Sequence, residues 1–147
     1  MARIKIDLPG NFKFSTVIPV RITDLNYGGH VGNDTILSII HEARIQYLKQ
    51  WGYSELNLAG ASLIMADVAI EFKKEVFYGH EIIASVTARD FTKASFDLYY
   101  KLEFVQEEKT YTAALAKTGM VCFDYKNRRV MAVPEEAVKN MTGAEKH

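Results

Sequence analysis

Hydrophobic spacing divides the chain into one long stretch of helical period and several of strand period. Ile36, Ile40, Ala43, Tyr47 and Trp51 recur every three or four residues, and Leu37 and Leu48 broaden the stripe. That spacing predicts an amphipathic helix of about 18 residues, ~27 Å long at ~1.5 Å per residue. Asn33 or Asp34 is placed to cap its start, and Gly52 to stop it. From Leu63 the period falls to two. Ile64, Ala66, Val68, Ile70 and Phe72 alternate with Met65, Asp67, Ala69 and Glu71, which predicts a strand over 63–73. Further strands are predicted over 81–90, 93–106 and 110–125, with a short one over 129–133. The third alternates most clearly, Phe96, Leu98, Tyr100, Leu102 and Phe104 against Ser95, Asp97, Tyr99, Lys101 and Glu103. The last long strand carries Ala113, Ala114, Ala116 and Gly119, small residues suited to lie close under a helix. Pro134 opens a helical turn or two, and the tail from Gly143 reads as frayed.

Before the helix the pattern is weaker. Ile4, Ile6 and Leu8 form a short edge strand or a loose arm that stops at Pro9-Gly10. Residues 12–23 are rich in β-branched and aromatic types, and Pro19 points to an edge position or a bulge. If that strand continues extended, Asp24 and Asn26 point the same way. The predicted order is strand, long helix, then consecutive antiparallel strands. That is one α+β domain, with a curved antiparallel sheet wrapped around one helix.

Composition narrows the function more than the fold. The 147 residues balance 18 Lys+Arg against 18 Asp+Glu, so nothing draws the whole chain to nucleic acid or to an anionic membrane. No apolar run reaches spanning length, and the start has no apolar segment of signal-peptide length. The single cysteine, Cys122, lies in an apolar strand and reads as a buried structural thiol. A soluble, cytoplasmic protein is expected. Neither a metal-ligand spacing nor a phosphate-binding glycine loop is present, so no metal and no cofactor is expected.

Chemistry concentrates in Asp24-Leu25-Asn26-Tyr27-Gly28-Gly29-His30-Val31-Gly32-Asn33, which is followed on the helix by Glu42-Ala43-Arg44. This run resembles the hotdog-fold acyl-CoA thioesterases of the 4-hydroxybenzoyl-CoA thioesterase type. Their pattern is Asp-x-Asp/Asn-x-x-Gly-His-Val-x-Asn before a helix carrying Glu-Ala-Arg. The segment from Ile70 through Tyr78-Gly79-His80 to Ile82 and the terminal Val133-Pro134-Glu135 extend the likeness to roughly residues 12–137. The resemblance implies a hotdog fold and hydrolysis of an acyl-CoA or acyl-carrier-protein thioester. It also implies a homodimer at least, with a tetramer of two dimers open. Coenzyme A would enter as part of the substrate. One departure stands out: the family's catalytic acid is the second acidic residue of Asp-x-Asp, and that position is Asn26, whose amide does not ionise.

Thioester hydrolysis needs donors for the developing oxyanion, a means of activating water, and an acyl pocket. The amides of Gly29, His30 and Val31 lie where an oxyanion site is expected. Asn26 would orient water or the carbonyl. Asp24 or His30 would assist, and each also has a plain structural reading, as a carboxylate paired with an arginine and as a loop histidine. Tyr27, Gly28, Gly29, Val31 and Asn33 are expected at the substrate, and Asp67 is expected to enter the site from a partner subunit. Glu42 reads as paired with Arg44 of a neighbouring chain or with local backbone, Asp34 as a helix-start acid, and His41 and His80 as structural or surface groups. Tyr27, Ile64, Met65 and Phe91 are candidates for an acyl pocket or simple core. Lys73, Lys74, Arg89, Lys93, Arg128 and Arg129 are candidates for the phosphates of coenzyme A. An acyl-thioester-binding hotdog protein without hydrolysis is the alternative, and a dehydratase of the same fold a weaker one.

Overall fold

A computed structural model describes residues 3–143. The predicted elements are present in the predicted order: β1 (Phe14–Pro19), α1 (Asn33–Lys49), β2 (Ser62–Phe72), β3 (Glu81–Arg89), β4 (Ser95–Gln106), β5 (Lys109–Asp124), β6 (Arg129–Val130) and α2 (Glu135–Gly143). Of the predicted frayed tail, only Gly143 falls within the described residues, where it ends α2. Among these residues the strands form one antiparallel sheet in the order β1-β3-β4-β5-β2, with β6 paired to β5.

The alternation of β4 builds the core. Phe96, Leu98, Tyr100, Leu102 and Phe104 are buried, while Ser95, Asp97, Tyr99, Lys101 and Glu103 lie on the other face, partly exposed. Each such apolar side chain contributes about 1.5–3 kcal/mol on burial. The sheet meets α1 through Ile36, Ile39, Ile40, Ala43, Tyr47 and Leu48. Three positions differ from the periodic reading. Leu37 faces outward and Ile39 inward, and Trp51 lies past the helix end, edge-on to Tyr47 at 5.3 Å. Gly52 ends the helix as expected, with positive φ and its N–H donated to Lys49 O. Arg44 brings a charge into the core. Arg44 donates to Glu55 Oε2 (2.7 Å) and to Tyr100 Oη (3.2 Å), so its guanidinium is paired within its own chain.

Bulges account for two further differences. The register of β2 against β5 shifts between Met65 and Asp67, leaving Ala66 unpaired. Leu63 and Met65 therefore share a face with Val68 and Ile70, and Ile64 moves to the face of Asp67. A second shift lies between Leu102 and Glu103. Ala113 is the extra residue there, and its carbonyl accepts the N–H groups of both Lys73 and Lys74 (2.9 and 3.2 Å). Ala114 and Ala116 lie on the buried face. Gly119 has a different reason to be small: a Cβ there would meet Asp67 Oδ1 at 2.6 Å, on the sheet face away from α1.

Residues 3–13 form an arm and not a strand. It crosses the sheet face opposite α1. Ile6 N–H donates to Glu71 Oε1 (3.1 Å), Arg89 donates to Gly10 O (2.8 Å), and Phe12 lies under Lys101 Nζ. At the other end of the chain, α2 is fixed by Tyr53, whose hydroxyl donates to Glu136 (2.7 Å) and accepts from Asn140 (2.9 Å). Both edges of the sheet, β1 and β2, are open in the single chain.

Candidate functional site

The segment between β1 and α1 does not stay extended. A single 3-10 turn, Ile22–Asp24, interrupts it. Asp24 closes that turn by accepting the backbone N–H of Arg21 (2.8 Å) and its guanidinium (3.1 Å), and it is almost fully buried. The expectation that Asp24 and Asn26 share one strand face therefore fails. Asp24 lines a hollow of about 260 Å³ between β1 and α1, with Arg21, Ser38, Glu42 and Gln46. Glu42 accepts from Gln46 there (2.7 Å), and the Arg44 it was expected to meet across an interface is buried.

Asn26 to Val31 forms a very small hairpin. Asn26 N–H donates to His30 O (2.8 Å), Gly29 N–H to Asn26 O (3.0 Å), and Gly28 N–H to Asn26 Oδ1 (2.9 Å). Gly29 takes φ +83°, which a glycine adopts without strain. Gly28 answers a different need. A Cβ there would stand 3.2 Å from Asn26 Oδ1 and 3.7 Å from His30 Nε2, so the two side chains flank one small space that only glycine leaves open. Tyr27 at the tip is fully exposed.

The hairpin is sewn to the connection between β2 and β3. Val31 N–H donates to Val76 O (2.8 Å), and His30 pairs with Phe77 as an isolated bridge. This brings in a carboxylate that the sequence reading did not single out. Glu75 Oε2 lies 3.0 Å from His30 Nε2, while His30 Nδ1 lies 3.1 Å from Val31 O. Nothing in the periodicity marks Glu75. In Lys73-Lys74-Glu75 it reads as one charge of a polar loop.

The same contacts change which backbone donors are available. The amides of Gly29 and Val31, expected to hold an oxyanion, already donate within the chain. Open donors lie at the head of α1. Gly32 is the N-cap, no side chain caps the helix, and its first bond runs from Ile36 N–H to Gly32 O (3.0 Å). Asn33, Asp34 and Thr35 thus carry the unsatisfied N–H groups of the first turn. Neither Asn33 nor Asp34 caps, because both lie inside the helix. Asn33 borders a hollow of about 150 Å³ with His30, Phe72, Lys73, Lys74 and Glu75.

The remaining candidates fall outside this cluster. Asp67 lies on the sheet face away from α1, accepting Lys117 Nζ and Gly119 N–H (both 2.9 Å), and the single chain does not bring it to the hairpin. Those hydrogen bonds, Lys117 first, hold its carboxyl below the usual range. Ile64 and Met65 belong to the edge strand, and Phe91 stacks on Phe96 at 5.1 Å. Arg89 is engaged with the N-terminal arm, whereas Lys73 and Lys74 border the hollow. His41 pairs with Glu55 (2.9 Å), and His80 stacks on Phe104 at 4.6 Å. Cys122 is buried, and burial pushes its thiol up to about 11, which leaves no ready thiolate.

Comparison with known proteins places this arrangement. Comparison with curated proteins found no match. Among solved structures, a thioesterase-superfamily protein from Jannaschia sp. CCS1 superposes with a TM-score of 0.81 at 16% identity, covering 92% of this chain and 84% of that one. Slr0204, a 1,4-dihydroxy-2-naphthoyl-CoA thioesterase from Synechocystis, gives 0.79 at 19% identity, covering 91% and 98%. The 4-hydroxybenzoyl-CoA thioesterase of Pseudomonas sp. strain CBS-3 gives 0.76 at 13% identity, covering 86% and 96%. These likenesses establish the hotdog fold. The family model of the thioesterase-like superfamily matches residues 20–141, which takes in the hairpin, α1 and every strand from β2 to β6. The chain belongs to the thioesterase-like superfamily.

Proposed function

We propose that this protein hydrolyses an acyl thioester, carried by coenzyme A or by an acyl-carrier protein, to the free acid and the thiol. The observation that carries this reading is the uncapped head of α1 beside Asn26 and His30. The thioester oxygen gains negative charge as the carbonyl carbon becomes tetrahedral. Unpaired N–H groups on the positive end of a helix dipole favour that charge. Asn26 contributes a donor. Its Oδ1 holds Gly28, so the group left for a ligand is the Nδ2 amino end, which orients a carbonyl or a water oxygen but takes no proton. Water then attacks the carbonyl carbon, the C–S bond breaks, and the thiolate leaves with the bonding pair and is protonated.

Lys73 and Lys74 at the same hollow suit an anionic carrier. The working unit in this reading is a homodimer joined along β2. That strand is an open edge, and it exposes Met65, Val68 and Phe72, a combination that a stable monomer would guard against. A larger tetramer and a cytoplasmic setting belong to the same reading. Among the described residues no helix is long and apolar enough to cross a membrane. Binding without hydrolysis is the competing reading, and Asn26 is the observation that favours it. Thiol release from short, medium, long and aromatic acyl-CoAs separates the two. Turnover of at least one class is expected, and tight binding of all with no thiol released would support the binding protein.

A further inference from the structure

Hydrolysis requires a group that accepts a proton from the attacking water, and Asn26 cannot be that group. Three carboxylates lie near the hairpin. Asp24 is buried, bonded to Arg21, and faces the other hollow. Asp34 is folded back over its own turn, with Oδ1 2.6 Å from where a Cβ of Gly32 would stand. There it fits the usual place of an acid in a first helical turn. Glu75 remains. It lines the hollow with Asn33 of α1, and it is held by one oxygen only.

The hydrogen-bond geometry at His30 gives Glu75 its distinction. Both ring nitrogens of His30 face oxygen acceptors, the Val31 carbonyl at 3.1 Å and Glu75 Oε2 at 3.0 Å. A carbonyl oxygen cannot donate, so Nδ1 carries a proton. A neutral ring would then turn a lone pair towards the carboxylate. One further proton between Nε2 and Oε2 satisfies both groups. The bond fixes Oε2, and among the described residues Oε1 has no partner.

We infer that Glu75 is the catalytic base of the hydrolysis, with His30 as the residue that positions it. This rests on the thioesterase reading above. Glu75 Oε1 takes one proton from the attacking water as the water oxygen bonds to the carbonyl carbon. When the C–S bond breaks, that proton passes from Oε1 to the departing thiolate. The second proton of the water stays on the product acid and is lost to solvent. The charged neighbours that set the working state are His30 from the hairpin, Lys73 and Lys74 on the same connection, and Asp34 on the first turn of α1. Sequence pattern gave no warning of this role, because Glu75 is brought to the hairpin by the Val31–Val76 and His30–Phe77 pairings.

The test is kcat and KM against pH for the best acyl-CoA substrate, in wild type, Glu75→Gln, Glu75→Ala and Asp34→Asn, with folding checked by circular dichroism. Glu75→Gln is expected to lower kcat by roughly 10²–10⁴-fold, the usual worth of a general base, with KM little changed. It should also flatten the acid limb of the pH profile. Formate or acetate should restore part of the activity of Glu75→Ala, which a merely structural role would not allow. Asp34→Asn, which keeps the backbone N–H of the first turn, should lose clearly less kcat than Glu75→Gln. Wild-type kcat and profile in a folded Glu75→Gln, or the large loss appearing in Asp34→Asn instead, would overturn the assignment and leave the thioesterase reading standing. A wild-type protein that cleaves no acyl-CoA would overturn both.

Discussion

Asn26 Oδ1 accepts the N–H of Gly28 at 2.9 Å, and this one bond decides what Asn26 can offer a ligand. The acceptor is engaged and the amino group is free. Asn26→Ala removes a donor and also unties the turn. If the amino group holds the thioester oxygen, kcat should fall by about 10²–10³-fold, the usual cost of losing one oxyanion donor. Steady-state kinetics on the best acyl-CoA checks this, and Asn26→Asp tells the roles apart. A carboxylate keeps the Gly28 bond but donates nothing when ionised, so a substitution that preserves kcat would show that donation is not the role of position 26.

The adjacent glycines should respond differently to alanine. Gly28→Ala places a methyl 3.2 Å from Asn26 Oδ1 and 3.6 Å from His30 Cδ2, at a backbone with no positive φ. Activity should fall while thermal stability is nearly kept. Gly29→Ala meets no atom within 4 Å but must hold φ +83°, which costs about 1–3 kcal/mol for a residue with a side chain. Thermal melts and kcat/KM on the two variants should therefore separate. Equal losses of stability in both would contradict the account of Gly28.

The open edge of β2 makes a prediction about assembly. Lysine at an edge strand opposes pairing with another edge. Val68→Lys and Phe72→Lys alter exposed apolar positions on that edge. Light scattering coupled to gel filtration should show the wild type at twice the chain mass and both variants shifted towards one chain mass. A monomeric wild type would exclude the β2 interface.

Stability towards acid should depend on Glu55. Burial raises its carboxyl, but hydrogen bonds from Arg44 and His41 outweigh this and hold it below the ordinary glutamate value. A carboxyl lowered in the folded state adds stability that is fully present above its unfolded pKa. That stability is lost as pH falls through the folded value. Wild type should thus lose stability steadily below about pH 4.3, where an ordinary glutamate is half protonated. Glu55→Gln should be less stable near neutrality and lose less on acidification. Urea melts from pH 3 to 7 measure both, and parallel curves for the two proteins would contradict the assignment.

Where periodicity governs, the chain could be read from its residues. The β4 alternation and the α1 stripe each follow from which side chains must leave water. The sheet order was legible only for β3-β4-β5, which are joined in sequence; β2 pairs with β5 and not with its chain neighbour β3, and β1 pairs with β3 across α1 and β2, pairings that no residue pattern marks. The bulge at Ala66 was not legible, because one unpaired residue in an alternating run leaves no mark in hydrophobicity. It exchanged the faces of Ile64 and Met65. The hairpin was legible as a place and not as a geometry. Asp24, Asn26, Gly28, Gly29 and His30 stood out, yet the 3-10 turn at Ile22–Asp24 separates Asp24 from Asn26, and local bonds consume the amides of Gly29 and Val31. Glu75 was hidden because its partner lies 45 residues away and the two meet only through a loop-to-loop bridge.

Thioester turnover in water enriched in oxygen-18 tests the central claim most directly. The protein is mixed with the acyl-CoA it binds best, and the products are read by mass spectrometry. The account predicts free thiol and a free acid carrying one heavy oxygen from the attacking water. Recovery of intact acyl-CoA, bound but uncleaved after long incubation with wild type, would contradict it.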